Sequence, residues 1–364
     1  MTIDQLRARL AELDGEMLRL VARRLELARE IGEAKDREGM ALRDFGQEKE
    51  VVGRAIRLAD AAGVSQELAA ELVALLIRSS LAAQERQRVE ARGGGGGRRA
   101  LVIGGSGRMG EWFVRFLASQ GFAVEVADPA PSAVSAPRIS DWRRSELDHD
   151  VIVVAAPLRT SADILAGMAT RPPRGLLFDI GSLKSPLAAP LRALADAGAR
   201  VASLHPMFGP DTALLSGRHV IVVDVGHPEA AAEAAALFEP TMATIVPMDL
   251  ESHDRAVAYV LGVSHALNIA FSWTLAESGE TAGHLARLSS TTFDQLLGIA
   301  GRVAQENPHL YFEIQSLNRY GVAALDGLHE AVERVRAAVR QGDEAAFVSM
   351  MQRGRDYFAS RPTP

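Results

Sequence analysis

Leu6, Leu10, Leu13, Met17, Leu20, Leu27 and Ile31 recur at alternating steps of four and three, with one step of seven. They line one face of a long helix. Two cations interrupt that stripe. Arg24 stands in the slot left open by the step of seven, and Lys35 fills the next slot after Ile31. At about 100° per residue, both fall within roughly 20° of the stripe centre. A charge on a buried face costs several kcal/mol unless something compensates it. A bound anion is one answer. Side chains that reach past the stripe into water are the other.

Residues 2–90 carry helical patterning throughout, read as three helices over 2–36, 44–62 and 66–90, with Gly39 and Gly63 punctuating the connections. Arg92 is followed by five consecutive glycines, Gly93 to Gly97. Such a run spans roughly 12 Å as a random coil and holds no fixed angle. It therefore reads as a flexible domain joint. A phosphate-cradling loop is the weaker reading, because no strand feeds into the glycines.

Beyond the joint the pattern changes. Apolar runs at 99–103, 123–127, 151–155, 176–178, 201–204 and 220–223 alternate with helix-compatible stretches at 108–120, 161–169, 185–197 and 228–238. Continuous apolar strands separated by helices predict a parallel, doubly wound α/β sheet. From about Met248 the strands stop, and amphipathic stretches at 251–278, 281–305, 309–340 and 343–359 predict an all-α third unit. The expected organisation is a helical domain over 1–91, a glycine-rich linker over 92–98, a Rossmann-like dinucleotide-binding domain over 99–247 and a helical domain over 248–364.

Composition narrows the function classes. A net charge of −6 gives no support to a nucleic-acid partner. With no cysteine, disulfides, thiolate nucleophiles and Cys-ligated metal are excluded, and a reducing cytoplasm is the expected compartment. No metal ligand set stands out. Residues 1–10 are charged and periodic, unlike a signal segment. The apolar run 151–158 is too short to cross a bilayer, so no membrane partner is expected.

Leu101-Val-Ile-Gly-Gly-Ser-Gly-Arg-Met-Gly110 reads as a strand, a glycine loop and a helix start. Gly105, Gly107 and Gly110 match G-x-G-x-x-G. The first is expected to make the tight turn, the second to admit a pyrophosphate, and the third to pack helix on strand. Ser106, Arg108 and Met109 complete the loop at the helix N-terminus, which attracts anions. Ala156 and Pro157 end the third apolar run beside it. Asp128 closes the second run, 18 residues after Gly110. A carboxylate there accepts both ribose hydroxyls and repels a 2′-phosphate, which favours NAD over NADP.

Ser203-Leu-His-Pro-Met-Phe-Gly-Pro-Asp211 follows another predicted strand. Pro206 restricts His205 to extended geometry, and Phe208-Gly209-Pro210 stiffens the turn. A histidine held at a strand end fits an acid–base or hydrogen-bonding role, although a structural histidine in a rigid loop has the same signature. Ser182 and Lys184, after the strand that closes on Asp179, are placed to reach the same crevice. His253 and His265 are twelve apart on one predicted helix, about 120° from each other, and need not share a site. Arg302, near the end of another helix, is suited to clamp a carboxylate.

These motifs carry a resemblance that covers nearly the whole chain. R-L-E-L-A at 24–28 and R-D at 43–44 resemble the all-helical class of chorismate mutase. V-I-G-G-S-G-R-M-G at 102–110 and L-H-P-M-F-G-P-D at 204–211 resemble prephenate dehydrogenase. Together they resemble the bifunctional T-protein family of tyrosine biosynthesis. The resemblance implies a chorismate mutase site at Arg7, Arg24, Lys35, Asp44, Glu48, Ser80 and Gln84. Lys35 and Gln84 would face the breaking ether bond, Arg7 and Arg24 the carboxylates, and Asp44 and Glu48 the ring hydroxyl and second helix. Arg7 lies roughly 25 Å along the helix from Arg24 and about 100° off its face. It fits the site only from a partner chain, so an interlocked homodimer is implied. The family's usual arginine is replaced here by Gln47, which predicts a weakened mutase. A water or a nearby residue such as Arg43 can stand in.

In the dehydrogenase half the resemblance puts His205 against the 4-hydroxyl of prephenate and Ser182 beside it. Arg302 would hold a substrate carboxylate and His265 the pyruvyl side chain. A second arginine of some relatives is not matched, because Asp294 stands there, and arogenate is the alternative substrate. Two competing readings remain at this stage. The helical N-terminus is a non-catalytic dimerisation or regulatory module, or residues 99–360 form a general nicotinamide reductase of the hydroxyacid or imine type.

Overall fold

The computed structural model describes residues 1–131 and 133–360. Three helices open the chain: α1 (Ile3–Arg37), α2 (Phe45–Ala62) and α3 (Gln66–Arg92). Their ends follow from local chemistry. Thr2 and Gln5 form a reciprocal capping box at the start of α1. Asp44 and Ser65 cap α2 and α3, and Gly63 ends α2 in the left-handed conformation at φ 69°. Arg24 bonds Ser80, Gln84 bonds the Ala28 carbonyl and Arg92 bonds Asp36, always 56 residues apart. α1 and α3 therefore run parallel in register from Arg24 to Asp36. The whole predicted stripe, Leu6, Leu10, Leu13, Met17, Leu20, Leu27 and Ile31, stays exposed, with Leu68, Leu72 and Leu75, because α1 meets α3 through the adjoining face of Arg24, Ala28 and Gly32.

The glycine run is a structured joint, contrary to the expected flexible one. Gly95 N–H donates to the Gln120 carbonyl at 2.9 Å and Gly97 N–H to the Gly121 carbonyl at 2.9 Å. A Cβ at Gly93 or Gly95 would collide with the backbone of Gln120 to Phe122. These glycines are there for close backbone approach.

An eight-stranded sheet follows: β1 (Arg99–Ile103), β2 (Ala123–Ala127), β3 (Arg138–Ile139), β4 (Val151–Val154), β5 (Leu176–Asp179), β6 (Val201–Pro206), β7 (His219–Val223) and β8 (Thr244–Met248). The order is β3-β2-β1-β4-β5-β6-β7-β8. All pairings are parallel except β6 with β7, where His205 faces Ile221. The sheet is thus doubly wound but mixed, which corrects the all-parallel expectation. Helices α4 (Arg108–Ser119), α5 (Leu158–Ala169), α6 (Ala188–Asp196) and α7 (Pro228–Ala236) complete the alternation. Val102, Phe113, Val126, Val153, Phe178 and Leu204 form the fully buried centre, each large side chain contributing about 1.5–3 kcal/mol of burial.

The C-terminal helices are α8 (Leu250–Val257), α9 (Ser264–Ala276), α10 (Ala282–Arg287), α11 (Thr291–Gln305), α12 (Pro308–Leu317), α13 (Gly321–Gln341) and α14 (Glu344–Ala359). A π-helical turn, Ala258–Val263, joins α8 to α9. The stretches read as single helices at 281–305 and 309–340 are each broken in two. Leu250–Ala276 is long and apolar enough to cross a membrane by length and composition alone, which the shorter runs noted above were not. By packing, the chain divides into two units: Met1–Ser182 with Leu187–Asp249, and Leu183–Pro186 with the chain from Leu250 on. The three-helix module and the sheet share the first unit.

Candidate functional sites

On the helical module, Arg24 donates to Ser80 Oγ at 2.8 Å and to the Leu76 carbonyl at 3.1 Å. Lys35 Nζ donates to the Leu42 carbonyl at 2.8 Å. Both cations are half-buried. Among the described residues, neither has a carboxylate partner, so their charge is balanced only by neutral acceptors. Gln84 crosses α1 where Gly32 leaves room, and a Cβ at Gly32 would stand 2.7 Å from Gln84 Cγ. Ser80 and Gln84 are buried. The structure therefore brings Arg24, Ser80, Gln84 and Lys35 into one row along α1 and α3.

Glu48 is gripped by Arg43, with Nε at 2.8 Å and Nη2 at 3.1 Å. Asp44 accepts the Gln47 N–H at 3.0 Å, so it starts α2 as a cap, and both side chains are exposed. Arg7 is exposed and pairs loosely with Asp4 at 3.7 Å. It stays outside the row, as the helix spacing requires.

At the carboxyl edge of the sheet, the nucleotide loop is built around glycine geometry. Gly104, not Gly105, takes the left-handed turn at φ 81°, and a Cβ there would press on the Ala155 carbonyl at 2.7 Å. A Cβ at Gly105 would meet Val126 at 2.8 Å, and one at Gly110 would collide with the Gly104 carbonyl. Gly107 caps α4, and Arg108, Met109 and Gly110 form its first turn. The turn-making role thus shifts one residue upstream, while the helix-packing role of Gly110 holds. Asp128 accepts the Ser106 N–H at 3.1 Å and the Ala130 N–H at 2.8 Å. Its carboxylate is fixed at the end of β2 with lone pairs left for a ribose. Ala156 and Pro157 follow β4, where Ser161 Oγ donates to the Ala156 carbonyl at 2.9 Å and Pro157 caps α5. This donor and acceptor set fits a dinucleotide.

Two strands away, Asp179 holds the ends of β5 and β6 together. It accepts from Ser203 Oγ and, at 2.7 Å, from the Gly181 N–H. That clamp fixes the positions of Ser182 and His205. His205 is 5% exposed within β6. Ser182 Oγ is buried and has no hydrogen-bond partner among the described residues. Phe208 stacks obliquely on Trp112 at 5.0 Å, and Arg108 pairs with Asp211 at 2.7 Å. The turn after His205 is thereby tied to α4.

The remaining candidates lie in the C-terminal unit. His253 and Lys184 are fully buried, so neither lies on an open substrate surface. Asp254 accepts from the His253 ring through Nδ1 at 2.7 Å, from the Lys184 backbone N–H at 2.7 Å and from Ser185 Oγ. Burial works to raise the Asp254 pKa, but those hydrogen bonds prevail and hold it below the usual carboxylate value. His265 stacks on Tyr311 at 4.2 Å, and burial pushes its pKa down, keeping the ring neutral near pH 7. Its Nδ1 is buried without a partner among the described residues. Arg302, on the exposed side of the last turn of α11, has no ion pair among the described residues. Phe271 meets Phe293 at 6.1 Å, joining the later half of α9 to the first turn of α11. His265 and Arg302 consequently fall at the same end of that helix pair.

The π turn escaped the periodicity analysis. Absorbing one extra residue brings His253 and His265 to within about 20° of one helix face instead of about 120°. Tyr311 and Asp254 were also missed, since neither belongs to a motif with a recognisable spacing.

A glycine-turn nucleotide site and a rigid buried histidine on one sheet define a dehydrogenase of the doubly wound class, here preceded by a three-helix module with two half-buried cations. The family described as chorismate mutase type II matches residues 6–85. The nucleotide-binding and dimerization domains of prephenate dehydrogenase match residues 134–247 and 249–353. The T-protein of Enterobacter agglomerans is 27% identical over 357 residues, covering 97% of this chain and 92% of that protein. The 4-amino-4-deoxyprephenate dehydrogenase of Streptomyces pristinaespiralis is 31% identical over 272 residues, covering 71% of this chain and 90% of the relative. The crystal structure of A. aeolicus prephenate dehydrogenase in complex with hydroxyphenyl propionate and NAD+ shares the fold, with a TM-score of 0.59, 19% identity, and coverage of 72% of this chain and 98% of that one. The chain belongs to the prephenate dehydrogenase family and carries a chorismate mutase domain ahead of it, in the arrangement of the bifunctional T-proteins.

Proposed function

We propose that the helical module rearranges chorismate to prephenate and that the rest of the chain oxidatively decarboxylates prephenate to 4-hydroxyphenylpyruvate with NAD. The observation that carries the first half is the pair of half-buried cations, Arg24 and Lys35, held by neutral acceptors with no carboxylate among the described residues. Two uncompensated charges match a dianion. The rearrangement needs no covalent group, only a compact substrate shape and stabilised charge on the ether oxygen. Arg24 binds a carboxylate, Lys35 and Gln84 donate to the ether oxygen, and Glu48 orients the ring hydroxyl. Asp44 starts the helix that bears Glu48. Arg7 comes from a second copy, whose α1 covers the exposed Leu6-to-Leu20 stripe.

In the dehydrogenase half, NAD supplies the hydride acceptor when bound. The Gly104–Gly110 turn and the α4 N-terminus receive its pyrophosphate, and Asp128 its adenosine ribose. His205 draws the proton from the 4-hydroxyl as the ring is oxidised and loses carbon dioxide. Ser182 Oγ supports that hydrogen bond, Arg302 holds a substrate carboxylate, and neutral His265 meets the pyruvyl group. The His253 ring and the Lys184 backbone N–H hold the Asp254 carboxylate and take no part in binding substrate. A homodimer in the cytoplasm is the proposed setting, with small molecules as the partners.

Chorismate and NAD supplied together test the whole reading. NADH should appear without added prephenate. Absence of NADH from chorismate, with normal turnover of added prephenate, would reduce the helical module to a dimerisation or regulatory role. Faster turnover of arogenate or 4-amino-4-deoxyprephenate than of prephenate would reassign the second substrate.

A further inference from the structure

Arg43 lies on the short connection between α1 and α2, outside any helix or strand. Nothing in its own backbone fixes it, yet its guanidinium is fully engaged. Nε and Nη2 grip Glu48, and the ring of Phe45 lies 4.2 Å below. Nη1 donates at 2.8 Å to Ser216 Oγ, which belongs to the dehydrogenase half, 173 residues further on.

The residues around Ser216 are held from several sides. The neighbouring Leu215 N–H donates at 2.7 Å to Glu85, next to Gln84 on α3. Glu85 also accepts the Met242 N–H. It is 4% exposed, and burial raises its pKa against the pull of those two N–H groups. Further back along the segment, Asp211 pairs with Arg108, and the Thr212 carbonyl accepts Trp112 Nε1 at 3.0 Å. Arg218 N–H donates to the Leu215 carbonyl at 2.8 Å. The stretch from Asp211 to Arg218 is therefore bonded at both ends. One end leans on the nucleotide loop and the other on the mutase helices.

We propose that Ser216 of the dehydrogenase half is part of the mutase site: through Arg43 it positions the Glu48 carboxylate. The proposal rests on the reading that the helical module is a mutase that uses Glu48. A planar guanidinium can satisfy a carboxylate with two nitrogens and still point a third at a fixed hydroxyl, which an ammonium cannot. Arg43 is thus the rod and Ser216 the stop. Ordinary packing between modules would act on both activities and on stability. Positioning acts on the mutase alone, and only while Arg43 is present.

The test uses the full-length enzyme and a double-mutant cycle. Glu48 touches substrate in ground and transition states alike, so its misplacement raises KM more than it lowers kcat. Ser216→Ala should raise the chorismate KM about fivefold, with kcat within about twofold, the scale of one ordinary net hydrogen bond. Prephenate turnover should be unchanged, which also shows the variant is folded. Arg43→Ala should raise that KM about thirtyfold, and Arg43→Lys should recover part of the loss. In the Arg43→Ala background, Ser216→Ala should add nothing. An unchanged chorismate KM in Ser216→Ala would overturn the proposal, as would an undiminished Ser216 effect in the Arg43→Ala background. A wild-type enzyme unable to rearrange chorismate would instead sink the mutase reading itself, and this proposal with it.

Discussion

The first helix and the first strand are both apolar by sequence, and they meet opposite fates. Leu101, Val102 and Ile103 of β1 are buried on both faces of the sheet. Leu6, Leu10, Leu13, Met17 and Leu20 of α1 stay exposed. Coverage explains the difference. A strand of five residues is covered by its neighbours, whereas a helix of 35 residues, about 52 Å long, packs on α3 through Arg24, Ala28 and Gly32 and leaves its leucine stripe, Leu27 and Ile31 included, outside that contact. The sheet is complete in one chain. The helical module presents a half-covered surface, the one assigned above to the proposed second copy. Its polar groups differ in the same way. At the sheet edge Asp179 and Asp128 are held by local donors, while Arg24 and Lys35 have only neutral acceptors among the described residues.

The largest expected effect separates the two modules outright. His205→Asn should lower dehydrogenase kcat by about 10²–10⁴-fold with little change in KM, leaving chorismate rearrangement intact. Wild-type dehydrogenase turnover would remove His205 from the chemistry. Lys35→Ala should cost the mutase about 10²–10³-fold, with prephenate oxidation untouched. Co-expression of Lys35→Ala with Arg7→Ala sharpens the contrast. If Arg7 acts across the dimer, half of the dimers are mixed, and each carries one intact site. About a quarter of wild-type mutase activity then returns. No recovery would place Arg7 in the same chain's site, against the helix spacing.

What the sequence revealed divides along similar lines. The inner strands were readable because continuous apolar runs leave no other fate for them. β8 was missed because Pro247 interrupts its run, and a strand tolerates proline at an edge, which is where β8 lies. The row Arg24, Ser80, Gln84 and Lys35 was readable from helical period and family pattern together. Arg43 on Ser216 and Glu85 on Leu215 were not, since no local rule links residues 173 and 130 apart. The glycine run misled for a physical reason. Composition reports the entropy of a free chain, but the missing Cβ atoms are used to seat this backbone against Gln120 to Phe122. The π turn left no trace in a periodicity that assumes uniform helix.

Smaller effects probe the sheet's own site. Asp128→Ser should weaken NAD binding about tenfold and improve binding of NADP, read as the ratio of the two dissociation constants. The substitution also releases the Ser106 and Ala130 N–H groups, so the nucleotide loop should exchange its amide hydrogens faster. An unchanged ratio would detach Asp128 from the ribose.

The smallest effect concerns His265, which burial holds below its ordinary value of 6.5. The unfolded chain then takes up the proton more readily than the folded one. Stability therefore rises with pH across the window between the depressed folded value and 6.5. Above 6.5 the contribution is complete, and it drains away on acidification below that point. Melting midpoints followed from about pH 7 down to pH 5 should fall more steeply for the wild type than for His265→Gln, which cannot titrate there. Loss of the Tyr311 stack lowers the variant's curve at every pH, so the difference in slope, not in height, is the signal. Parallel curves would mean that His265 is protonated as easily in the fold as in water. The ring would then gain its proton as the pH falls through 6.5, adding a positive charge to that of Arg302 at the same end of the α9–α11 pair, and the neutral hydrogen-bonding surface proposed there would hold only above that pH.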